Sequence, residues 1–231
     1  RLTLGILGNK LSEHRYDEKP ELICAKAGDK IKAGVFTVEL IRVNHSIADA
    51  VCLAIRTPLG VIVHSGDFKV DLTPVEGTVI DLPRLGQLGN EGVLMLLCES
   101  TNAERPGYTP SEKTVGQSLE NIFMKHGDKR IVIATFSSNV HRVQQIINTS
   151  ARHGRKVAIT GRSMLNVVSA AMELGYMTAP AGVLIDINEI KKYKPEQLTL
   201  VTTGSQGEPM SALTRMAFSD HDKVELGPSD L

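Results

Sequence analysis

Two residues in the first half of the chain have the chemistry to hold a metal ion. His45 lies in Val43-Asn44-His45-Ser46-Ile47, between one apolar run and the next. Asp67 follows the apolar run Val61-Ile62-Val63-His64, in the small-residue turn Ser65-Gly66-Asp67-Phe68-Lys69. Imidazole nitrogen and carboxylate oxygen are donors suited to zinc or manganese, and a carboxylate has two oxygens with which to bridge a pair of ions. Each residue also has a plainer reading: a loop histidine satisfied by backbone groups, and an acidic turn or helix cap after a buried strand. Two ligands do not complete a catalytic zinc site, and no HxH, HExxH or CxxC pair occurs in the sequence to supply the rest. Strand alternation is expected to turn His64 away from Asp67.

The second half offers a different chemistry. Thr135-Phe136-Ser137-Ser138-Asn139, Thr160-Gly161-Arg162-Ser163 and Thr203-Gly204-Ser205-Gln206-Gly207-Glu208-Pro209 each follow an apolar run, and the first two open a helical pattern. Free amides and hydroxyls at such strand exits can hold a phosphate, and a ring such as that of Phe136 can stack a base. One Gly-Ser loop carries little weight; three at equivalent exits point to an anionic, phosphate-bearing ligand. The candidate contacts are Phe136, Ser137, Ser138, Asn139, Arg162 and Ser205. The competing reading of the first loop is a helix cap with a buried phenylalanine. At most one of His141 and Arg142, on different sides of the helical wheel, faces a ligand. Arg152, His153, Arg155 and Lys156 read as a solvated face at a helix C-terminus, and Lys191, Lys192 and Lys194 as plain surface.

The elements that must position these residues change character near Pro106. Before it, strands are expected at residues 21–26, 35–43, 51–56, 60–64 and 93–98, with Thr57-Pro58-Leu59-Gly60 as the tight turn of an antiparallel hairpin. After it, helices at 111–126, 139–152 and 163–174 alternate with strands at 130–135, 155–160, 183–187 and 198–203. That alternation predicts an α/β fold with a parallel, doubly wound sheet.

Composition narrows the classes. Across 231 residues, 26 basic side chains balance 26 acidic ones, so no global field draws the chain to nucleic acid or an anionic membrane, and anion binding must be local. No stretch approaches the roughly 20 apolar residues of a membrane span. Cys24, Cys52 and Cys98 are odd in number, far apart and set in apolar runs, which reads as reduced core cysteines of a cytosolic protein. The segment from Arg1 to Lys10 reads as mid-domain structure, so the chain is expected to be part of a longer one.

Together with Glu99-Ser100-Thr101-Asn102-Ala103-Glu104-Arg105-Pro106-Gly107, the segments around His45, Asp67, Phe136 and Ser205 form an ordered set that resembles bacterial ribonuclease J, a metallo-β-lactamase superfamily member with a β-CASP insertion. The resemblance implies the back part of an αββα lactamase sandwich over residues 1–107, followed over 108–231 by a β-CASP domain that is incomplete. It implies that His45 is a metal ligand and that Asp67 is a bridging metal ligand and catalytic. Glu99 would stand at the acidic position of the first β-CASP motif, with Phe136, Ser137 and Ser138 in an RNA-contacting segment. It further implies two zinc ions per complete site, with manganese as the alternative. The implied substrate is single-stranded RNA bearing a 5′-monophosphate, cut from that end and internally, in RNA processing and decay. A cytoplasmic homo-oligomer without membrane attachment is expected. The HxHxDH motif and the later His-x-Ser-Gly-His stretch of the family are absent from the sequence, so this chain is expected to be inactive by itself. The alternative is a non-catalytic RNA- or nucleotide-binding module.

Overall fold

The computed structural model describes residues 1–16, 20–75, 78–228 and 230–231, and the side chains among them apart from that of Asn9. It divides into two compact units, Arg1–Lys113 and Thr114–Leu231.

The first unit opens with helix α1 (Leu2–Leu11) and continues with β1 (Lys30–Ala33), β2 (Phe36–Arg42), β3 (Val51–Thr57), β4 (Gly60–His64), α2 (Leu82–Glu91) and β5 (Met95–Leu97). The sheet runs β1-β2-β3-β4-β5, an antiparallel meander with β5 added parallel to β4. The expected β3–β4 hairpin is present, and Thr57 closes it: its Oγ1 accepts from the amides of Leu59 (3.1 Å) and Gly60 (3.2 Å). Alternation buries Ile41 and Val43, Cys52 and Ala54, and Val61 and Val63 on one face, in a cluster with Ile80 and with Leu88 of α2.

Helix α2 escaped the sequence reading. Gly86 and Gly89 weaken its pattern, yet Asp81 caps it by accepting from the Arg84 amide at 3.0 Å, and Pro83 sits in its first turn. It is held by a buried ion pair: Arg84 grips Glu39 through two bonds of 2.7 and 2.8 Å, and Arg56 joins Glu39 to Glu91. The Arg84 guanidinium keeps the Glu39 carboxyl below the usual carboxylate range despite its burial.

Three expectations fail in this unit. Residues 21–26 form no strand: Leu22 and Ile23 are about half exposed, and the chain instead turns at Lys26–Asp29 and enters the ladder at Lys30. The last strand shortens to Met95–Leu97. Cys24 and Cys98 are exposed, the first in the irregular segment and the second just beyond edge strand β5, so Cys52 is the one core cysteine, its thiol pushed by burial up to about 11.

After α3 (Glu112–Lys125), the second unit continues β6 (Ile131–Ala134), α4 (Val140–Arg152), β7 (Lys156–Ile159), α5 (Arg162–Glu173) and β8 (Leu184–Ile185). Two 3-10 stretches, Ile187–Lys192 and Pro195–Gln197, lead to β9 (Leu198–Thr202) and α6 (Ala212–Ala217). Its four strands lie in the order β6-β9-β7-β8 and every pair is parallel, the α/β arrangement expected from the alternation. Central β9 is buried at all five positions. Ala158, Leu198 and Leu200 pack with Ile190, Met216 and Val224, while Ser150 of α4 reaches Thr199 at 3.0 Å.

The basic cluster after α4 is not a plain solvated face. Arg155 is only 3% exposed, and its guanidinium donates to the carbonyls of His126, Gly127, Lys129 and Leu198 at 2.8–3.2 Å. It thereby satisfies the backbone that follows the end of α3, with its charge 5.5 Å from the Phe123 ring centre. Arg152 and His153 both bond Glu120 of α3, at 2.7 and 2.8 Å.

Candidate functional site

In the first unit, β2 runs on to Val43 and β4 runs on to Ser65, and one isolated antiparallel bridge, Asn44 with Lys69, ties the two extensions together. The Lys69 amide donates to the Asn44 carbonyl at 2.8 Å. The Asn44 side chain fixes a third strand of chain by donating to Thr78 O (3.1 Å) and accepting from the Ile80 amide (2.8 Å). The result sets His45 Nε2 at 3.7 Å from Asp67 Oδ2, with Ser46 Oγ 3.4 Å from the same nitrogen. The side chains are 32% and 71% exposed, so the pair faces solvent on an open loop surface. Gly66 makes the turn before Asp67 at φ +60, where an added Cβ would meet Val51 O at 3.1 Å.

The donor chemistry of this pair fits a zinc or manganese ion, but among the described residues no group of three or more His, Cys, Asp and Glu converges. His64 is engaged elsewhere: its Nδ1 accepts from the Gly66 amide at 3.1 Å. Glu99 is tied to the same β4 exit, its amide donating to Ser65 Oγ at 3.0 Å while its carboxylate accepts from the Thr101 amide at 2.7 Å.

Two supports of this loop escaped the sequence reading. Asn44 is one; nothing but its place beside His45 could have marked it. The other is Asp71, 4% exposed, which accepts from the Thr73 and Glu112 amides and pairs with Lys69 at 3.4 Å. Burial pushes the Asp71 carboxyl up, but hydrogen bonds from Ser111, Thr73 and Glu112 and the Lys69 charge outweigh it and hold the group below its ordinary value.

In the second unit, the order β6-β9-β7 brings the three loops predicted to hold phosphate out at one edge of the sheet, side by side. Asn139 is buried and occupied as the cap of α4, accepting from the Arg142 amide at 3.1 Å. Phe136 is 45% exposed, so its ring is free of the core. Ser137 and Ser138 are half-buried, and Arg162 and Ser205 are exposed. Gly161, at φ +100, caps α5 without a side-chain bond, and a Cβ there would lie 3.1 Å from Thr203 Oγ1, so these two exits touch through the missing side chain. Gly204 is tighter still: its Cβ would fall on Ser211 Oγ and within 2.8 Å of Leu213 Cβ. Beneath the first loop, the Thr135 hydroxyl is the one buried side-chain polar atom without a partner among the described residues.

Comparison with known proteins agrees with this arrangement. Residues 128–231 match the profile of the family "Ribonuclease J, beta-CASP domain". Curated proteins named Ribonuclease J align along all of this chain: that of Synechocystis sp. is 43% identical, with 36% of its length covered. The Thermus thermophilus protein is 44% identical with 40% covered, and the Mycobacterium tuberculosis protein 42% with 41% covered. A crystal structure described as a protein of unknown function from Enterococcus faecalis V583 shares the fold at TM-score 0.60 and 18% identity, over 89% of this chain and 52% of that one.

The parallel sheet, its clustered exit loops and the matched segment define a β-CASP domain of the kind found in ribonucleases. Over residues 128–231 the chain matches the β-CASP domain of ribonuclease J, and over its whole length it is 42–44% identical to the three proteins of that name given above. It spans 36–41% of the length of the three relatives named. No helix among the described residues is long and apolar enough to cross a membrane.

Proposed function

We propose that this chain is the middle part of a metal-dependent ribonuclease that hydrolyses single-stranded RNA, acting from a 5′-monophosphate end and also internally, in RNA processing and decay. The observation that carries the reading is the approach of His45 Nε2 to Asp67 Oδ2, 3.7 Å apart on two loops that the Asn44–Lys69 bridge brings together. Zinc, or manganese in its place, would be held there, and a bound ion supplies Lewis-acid stabilisation of charge at the scissile phosphate. His45 offers a nitrogen lone pair, which requires its neutral form, and Asp67 offers two oxygens with which to bridge two ions. In the second unit, Ser137, Ser138, Arg162 and Ser205 offer donors and Phe136 a stacking face for RNA, whereas Asn139 contributes by capping α4. Glu99 braces the β4 exit behind Asp67. A cytoplasmic homo-oligomer accords with this reading.

Among the described residues two candidate ligands meet, so we infer that the chain by itself binds RNA without cleaving it. Cleavage of 5′-monophosphorylated single-stranded RNA by the full-length protein, with zinc or manganese, tests the assignment. Activity is expected to disappear in Asp67→Ala, and full activity in that variant would overturn the reading. A non-catalytic RNA-binding module is the second reading, favoured by the absence of a third ligand among the described residues. It requires that the full-length protein bind RNA in EDTA and cleave none when metal is restored.

A further inference from the structure

The segment after α6 carries His221, which no part of the site description uses. Its imidazole is engaged at both nitrogens. Nδ1 accepts from the backbone amides of Lys223 and Val224, each at 3.2 Å, and Nε2 lies 3.1 Å from Thr160 Oγ1. A nitrogen that accepts two amides carries no proton, so the ring is the neutral tautomer with its hydrogen on Nε2, directed at the Thr160 hydroxyl. Both ends of this link are anchored. Thr160 is 6% exposed at the end of β7, its amide bonded to Val201 O at 2.9 Å, and Val224 is 3% exposed in the core beneath the sheet. Thr160 is followed by Gly161 and Arg162, the exit loop that touches Thr203.

We propose that His221 is a positioning residue for this exit loop: as the neutral imidazole it fixes Thr160, and protonation from solvent releases the loop and weakens RNA binding. The proposal rests on the reading of the strand exits as an RNA contact. A proton arriving at Nδ1 takes the lone pair that serves the two amides and turns acceptor into donor, so both amide bonds are lost together. The ring, still a donor at Nε2, then loses the anchor on Lys223 and Val224 through which it holds Thr160 in place. The charged groups around the ring are Arg215 on α6 and Asp220, Asp222 and Lys223 on its own segment. Arg215 is partly neutralised, at 3.6 Å from Asp220 and 4.0 Å from Asp222. Burial first, and the Arg215 charge second, hold the imidazole below its ordinary value of 6.5 against the pull of Asp222. The anchoring of the ring is therefore intact above pH 6.5 and is lost as the pH falls through the lower value of the folded protein.

The test uses the 231-residue chain and an oligouridylate with a 5′-hydroxyl, so that no terminal phosphate titrates. NMR titration follows the His221 ring and the Gly161 and Arg162 amides, and binding is measured for wild type, His221→Asn and Thr160→Val at pH 7.5 and at the lower pH where the ring is seen to be protonated. Wild type is expected to bind about fivefold more weakly at the lower pH, the size of one lost hydrogen bond, with both amides titrating together with His221. Each variant is expected to show a ratio near one. An unchanged ratio in His221→Asn, or exit-loop amides that ignore the His221 titration, overturns the proposal. If wild type binds no oligouridylate at pH 7.5, the RNA reading of the exits fails by itself, and the amide titration still decides whether His221 positions the loop. Thr160→Val keeps the imidazole and its two amide bonds, which separates loss of the link from loss of the fold.

Discussion

The two units gather chemistry by opposite means. In the antiparallel meander of the first, neighbouring strands point in opposite directions, and His45 and Asp67 meet because one isolated bridge, with the Asn44 amide, ties two loop extensions together. In the second, every strand runs the same way, so the topology itself brings Thr135, Thr160 and Thr203 out of the sheet at one edge. A site of the first kind depends on single contacts. A site of the second kind is as robust as its sheet, and its sensitive points are the backbone positions where exits touch.

The sharpest way to break this contrast is Asp67→Ala in the full-length protein, which is expected to lower RNA cleavage by at least about 100-fold while RNA binding is retained, measured by gel-resolved cleavage beside a binding assay. Next in size, Arg155→Ala is expected to destabilise the second unit by about 3 kcal/mol, since four carbonyls lose their charged donor; denaturant unfolding reads it. Arg84→Ala leaves Glu39 buried with Arg56 alone at 3.8 Å and is expected to cost the first unit about 2 kcal/mol. Gly161→Ala sharpens the comparison: at φ +100 and 3.1 Å from Thr203 Oγ1 it is expected to cost about 1–2 kcal/mol and to disturb the Thr203 exit in amide shifts.

The smallest effect expected is that of acid on the first unit. The Glu39 carboxyl is held below its ordinary 4.5, so its contribution is complete above that pH and declines as the pH falls through the lower folded value. Thermal unfolding from pH 6 to pH 3 is expected to show this loss, and Glu39→Gln to flatten it.

Legibility followed the same division. Alternating apolar runs and helix stops placed β6, α4, β7, α5 and β9 within a residue or two, because local periodicity and parallel topology coincide there. The meander was read less well: the run 21–26 has strand composition but no ladder partner, and α2 hides its helical pattern behind two glycines. Arg155 was misread because a basic residue after a helix looks like surface until the carbonyls it serves are in view. His45 and Asp67 were visible as residue types, but the Asn44 clasp that sets them 3.7 Å apart depends on a contact with residues 78–80 that no local pattern announces.

The division of labour itself, grip in the exits and chemistry at the His45–Asp67 pair, is tested most directly with the 231-residue chain and 5′-monophosphorylated single-stranded RNA in zinc or manganese, beside Asp67→Ala. RNA bound but uncut by both proteins, with binding unchanged in EDTA, is the predicted result. Cleavage that persists in Asp67→Ala, or RNA binding that EDTA abolishes, contradicts it.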